Sequence, residues 1–78
     1  PTQSAYIQIG AFKKENISQA AASDVSNKIG TDVEVIPTLI SDPVMYRILV
    51  GPTHKDEIVD VIADIMELGI SDYFLTHG

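Results

Sequence analysis

The chain is 78 residues long, 45% hydrophobic, and carries 11 acidic against 5 basic side chains for a net charge of -6. That length allows one domain with one core, the apolar content excludes a disordered segment, and the negative field disfavours nucleic acid and anionic membrane surfaces. With no cysteine, disulfides, thiol nucleophiles and thiolate metal sites drop out, while the redox compartment stays open.

Ala5 to Gly10 alternates in polarity, which predicts a first strand with Ile7 and Ile9 on one face and Tyr6 and Gln8 on the other. A helix follows. Asn16 is its expected N-cap with Gln19 three residues on, Ile17, Ala21, Val25 and Ile29 form its stripe, and Gly30 ends it in a left-handed conformation. Asp32 to Ile40 predicts a second strand, which Pro37 weakens or moves to a sheet edge. After the turn at Ser41-Asp42-Pro43, Tyr46 to Gly51 is the strongest strand. Tyr46, Ile48 and Val50 share one of its faces, Arg47 and Leu49 the other, and Pro52 closes it.

Thr53 is the expected cap of a second helix, with Asp56 three residues later. Its stripe is Ile58, Val61, Ile62, Ile65 and Leu68, its wet side carries Glu57, Asp60, Asp64 and Glu67, and Gly69 ends it. A short last strand, roughly Asp72 to Thr76, completes the order βαββαβ. This is an α+β, ferredoxin-like or RNP-like architecture with two helices on one face of a four-stranded antiparallel sheet. The other face stays open, and period-two geometry sends Tyr6, Gln8, Arg47 and Leu49 to it.

Catalysis finds little to work with. His54 and His77 stand apart from any nucleophile motif, and the serines read as caps, turns and helix surface. Asp56, Glu57, Asp60, Asp64 and Glu67 lack the spacing of a calcium loop and read as a solvated face, so neither a metal nor a cofactor is expected. Gly10 and Gly51 belong to no phosphate-binding fingerprint and are expected to let their strands turn sharply toward the helices. The open face suits a glycan, with an aromatic or apolar side chain stacked on sugar C–H faces and an amide and a guanidinium bonding to acetamido and hydroxyl groups. The same surface or an edge strand also suits a protein partner by β-augmentation. Single-stranded RNA ranks lowest, because the chain is acidic and lacks paired sheet aromatics.

Two motifs add a family resemblance. Tyr6-Ile7-Gln8-Ile9-Gly10-Ala11-Phe12 resembles the opening motif of SPOR (sporulation-related) domains, and Tyr46-Arg47-Ile48-Leu49-Val50-Gly51-Pro52 resembles their second. Thr53 departs from the family, which often has an aromatic after Gly-Pro. The paired-strand spacing is most similar to the SPOR domain of rare lipoprotein A type septal lytic transglycosylases.

The resemblance runs from about Ala5 to Thr76 and implies one domain over residues 1–78, excised from a longer parent because the chain opens on Pro1 without a signal-like segment. It further implies a non-enzymatic module in the bacterial periplasm that binds septal peptidoglycan glycan strands stripped of stem peptides. Nucleic-acid binding and membrane insertion are not implied, and the domain is expected to be monomeric, with any lipid anchor on the parent. The contacts implied are Tyr6, Gln8, Arg47 and Leu49 from the motifs, with Ile36 and Tyr73 from the second and last strands.

Overall fold

The structure is a computed structural model and describes residues 4–77. Its elements run β1 (Ser4–Phe12), α1 (Glu15–Ile29), β2 (Val33–Thr38), β3 (Met45–His54), a single 3-10 turn (Lys55–Glu57), α2 (Ile58–Glu67) and β4 (Phe74–Thr76). The sheet is antiparallel in the order β2-β3-β1-β4. The two motif-bearing strands therefore sit at its centre. Pro37 lies in an edge strand, where the ladder bond it cannot donate is not required.

The core lies between the sheet and the helices. Ile7 of β1 and Val50 of β3 are fully buried against Val25 of α1 and Val61 and Ile65 of α2, with Val33, Ile62 and Ile70 packed around them. The stripe of α2 follows the sequence expectation at Val61, Ile62 and Ile65, whereas Leu68 lies just past the helix and is exposed. That of α1 is rotated by one residue in its first half: Ser18, Ala22 and Val25 are buried, whereas Ile17 is 44% exposed. Ser18 occupies an apolar position because its Oγ donates to the Tyr46 carbonyl at 3.0 Å, satisfying the hydroxyl while tying α1 to β3.

Several boundaries differ from expectation for local physical reasons. Asn16 lies inside the first turn of α1, whose N-cap is Lys14 with no side-chain cap bond. Gly30 ends that helix at φ 68, as its sequence position predicts. Thr53 is not a helix cap. It is buried within β3 opposite Ala5 and its Oγ1 has no partner among the described residues; His54 caps the 3-10 turn by accepting the Asp56 N–H at 3.2 Å, and α2 starts after Glu57 without a side-chain cap bond. β2 stops at Thr38, leaving Leu39 and Ile40 exposed in the turn, and β4 begins two residues later than expected.

Neither strand glycine turns its strand toward a helix. β1 continues past Gly10 to Phe12, and β3 continues past Gly51 to His54. The β1–β3 ladder instead shifts register twice, between Ala5 and Ile7 and between Gln8 and Gly10. Gly51 holds φ 130, and a Cβ there would stand 2.8 Å from the Thr53 nitrogen and 3.1 Å from the Ala5 carbonyl oxygen. Gly51→Ala is expected to cost at least about 2 kcal/mol in urea unfolding. Gly30→Ala, where nothing lies within 4 Å of the added Cβ, should cost about 1 kcal/mol from its dihedral alone.

Candidate functional site

The helix-free face is built on one row that crosses all four strands. Glu34 of β2 pairs with Leu49 of β3, Leu49 with Gln8 of β1, and Gln8 with Phe74 of β4. Because Ile7, Val33 and Val50 point at the helices, alternation turns this row the other way. A second row runs Ile36, Arg47, Ala11, and a third pairs Tyr6 with Thr76. The structure thus brings Tyr6, Gln8, Ile36, Arg47 and Leu49 to one face, each at its expected parity.

Two side-chain bonds organise the face. Arg47 Nε donates to Gln8 Oε1 at 2.9 Å, linking β3 to β1. Since Arg47 supplies the N–H, Gln8 must turn its carbonyl oxygen inward, which presents its amide NH2 as the donor end. The Tyr6 hydroxyl donates to Glu34 Oε2 at 2.8 Å. β3 lies between the strands that carry these two residues, so this second bridge spans the central strand.

Leu49 lies in the row with its cross-strand neighbours Gln8 and Glu34, one from each bridge, and is 0% exposed although no helix covers that side. The expectation that Leu49 touches a ligand is therefore corrected. It lies on the right face but presents no surface, and its role is to support the polar residues around it.

Tyr73 is placed differently from the other expected contacts, packing on the helix side while also lining a cleft beside Gln8. It precedes β4, packs against the helix-side core and directs its hydroxyl to Met66 Sδ at 4.0 Å. The aromatic on the open face is its neighbour Phe74, 55% exposed beside Gln8. Sequence reasoning named Tyr73 because three residues of strand leave the parity unfixed. The pairing of Gln8 with Phe74 settles it. Glu34 was missed as well, although its position two residues before Ile36 carried the signal.

Beyond Gln8, β4 no longer pairs with β1. A cleft of about 460 Å³ opens there, lined by Gln8, Ile9, Gly10, Ala11, Asp72, Tyr73 and Phe74, within the usual range of about 300–1,000 Å³ for small-ligand sites. Five of the eleven acids, Asp56, Glu57, Asp60, Asp64 and Glu67, are exposed on or just before α2, behind the sheet. The charged groups on the open face are Arg47 and Glu34, and Asp72 lines the cleft.

The Glu34 carboxylate, by accepting the Tyr6 hydroxyl, raises the tyrosine's pKa above its ordinary 10.0, with desolvation and charge repulsion adding to the shift. A raised folded-state value means the bond's contribution is full below about pH 10 and is lost as pH rises through the raised value. Tyr6→Phe should remove a tyrosinate absorbance phase titrating above pH 10, and Glu34→Gln should move that phase down. Leu49→Ala should cost about 2–5 kcal/mol in stability, a loss that a residue serving only as a ligand contact would not produce.

A family model described as SPOR domain matches residues 1–76. Among solved structures, the crystal structure of the RlpA SPOR domain from Pseudomonas aeruginosa is similar to this chain, with a TM-score of 0.81 at 19% identity, covering 95% of this chain and 99% of that one. That likeness is one of fold. No curated protein matches the chain significantly.

Proposed function

The chain belongs to the SPOR domain family, and from that membership we propose that its open sheet face recognises peptidoglycan glycan strands whose stem peptides have been removed. SPOR domains are septal peptidoglycan-binding modules rather than enzymes. The preference for peptide-free strands is the finer step. It is carried by one observation: Arg47 held by Gln8 on a face with no helix above it.

A muramic acid residue bearing a stem peptide has its lactyl group tied up as a neutral amide. Once the peptide is removed, that group becomes a free carboxylate and a fitting acceptor for a guanidinium. Preorientation by Gln8 lowers the ordering cost of the contact. Ala11 and Ile36, which flank Arg47 in its row, keep the approach low and apolar. Phe74 offers a ring face for sugar C–H groups, and the cleft next to Gln8 offers room for one sugar. Tyr6 and Ile36 complete the contact surface, and Leu49 supports it from beneath.

In a parent protein of the rare lipoprotein A type, such a module would hold the attached activity at the septum, on the periplasmic side, where amidases leave bare strands. It would do so as a monomeric domain, with any lipid anchor belonging to the parent. The net charge of -6 opposes an anionic glycan at long range. Screening within about 8 Å at physiological salt limits the effect of acids behind the sheet.

Retention on amidase-treated sacculi should exceed that on untreated sacculi; equal retention on both would contradict the preference for bare strands. Gln8→Ala, Arg47→Ala and Phe74→Ala should each weaken binding by about 1–3 kcal/mol while leaving the unfolding midpoint near wild type. Because Gln8 and Arg47 are bonded to each other, the double variant should lose less than the two single losses combined.

A further inference from the structure

Glu34 is the residue on this face that the reading above leaves without a part. It is exposed, stands in the row that continues through Leu49 and Gln8, and its carboxylate is oriented by the Tyr6 hydroxyl at 2.8 Å. Arg47 lies on the adjoining strand, offset by two residues from Glu34's partner Leu49. Such diagonal neighbours stand about 7–8 Å apart. The ligand face is therefore dipolar over roughly the width of a sugar. One end is cationic and tied to Gln8; the other is anionic and tied to Tyr6.

A glycan of the proposed kind is not uniformly charged. Its carboxylate-bearing sugars alternate with neutral N-acetylglucosamine, so negative charge recurs on every second sugar only. We infer that Glu34 is a specificity-determining residue that sets the register of the bound strand. A carboxylate-bearing sugar is accepted at Arg47, and the end occupied by the Tyr6–Glu34 bridge takes a neutral sugar. Sliding the strand by one sugar would bring a lactyl carboxylate against Glu34 while leaving Arg47 facing a sugar with no charge. The penalty comes from like charges on a partly desolvated face, and it acts against a misplaced ligand rather than in favour of the correct one. This inference rests on the glycan reading.

Glu34→Gln is a clean probe, because the glutamine carbonyl oxygen still accepts the Tyr6 hydroxyl while the charge is gone. Binding of wild type and variant is measured by calorimetry to two ligands: peptide-free glycan from amidase-digested sacculi, and the same glycan with its lactyl carboxyls converted to amides. The variant should bind the carboxylate glycan up to about twofold more tightly, because the slipped register becomes available beside the aligned one, and the amidated glycan no differently. The gain should fade toward 1 M salt, where the screening length falls to about 3 Å.

Unchanged affinity for the carboxylate glycan, or an equal gain on both glycans, would overturn the inference. Weaker binding of both would mark Glu34 as a direct acceptor of sugar hydroxyls and overturn it too. Failure of the wild type to bind either glycan would instead defeat the glycan reading itself, and this inference with it.

Discussion

Burial of Leu49 on the side of the sheet that carries no helix is the constraint from which the layout of the open face follows. β3 is the strand with a fully buried residue on each surface: Val50 packs down into the helix-backed core, and Leu49 packs up into the row between Glu34 and Gln8. An aliphatic side chain left in water on a central strand would forfeit roughly 1.5–3 kcal/mol of burial. Two hydrogen-bonded pairs stand around it, Tyr6 with Glu34 and Arg47 with Gln8. The four residues of these bridges are thereby held in fixed orientations, so the open face of the sheet presents oriented polar groups.

Charge is distributed in keeping with this arrangement. The α2 acids face water on the far side of the sheet, where screening mutes them. Arg47 and Glu34 sit on the open face at neighbouring positions of adjacent strands. A small domain with a strongly negative total can thus present a locally bipolar surface.

Much of this was legible in the sequence. The alternation of Tyr6-Ile7-Gln8-Ile9 and of Tyr46 to Val50 placed four of six expected contact residues on one face, because a period of two leaves no other choice once one face is buried, and Ile36 joins them by pairing with Arg47. The order and number of the main elements followed from the two helical stripes and their terminal glycines. What escaped had physical causes. Ser18 replaces Ile17 in the core because its hydroxyl finds the Tyr46 carbonyl, a partner 28 residues away that no local pattern signals. Tyr73 and Phe74 could not be told apart because a three-residue strand lacks a readable period. Leu49's full burial was hidden because it lies on the side that no helix covers, and Thr53 was read as a cap because β3 runs on through Pro52.

The most direct test of the account is an NMR titration of the wild-type domain with a peptide-free glycan oligomer, following backbone amides and the Gln8 and Arg47 side-chain N–H groups. The account predicts that the shifts map to Tyr6, Gln8, Glu34, Arg47 and Phe74, with α1 and α2 unmoved. Shifts confined to the helices, or none at saturating glycan, would contradict it.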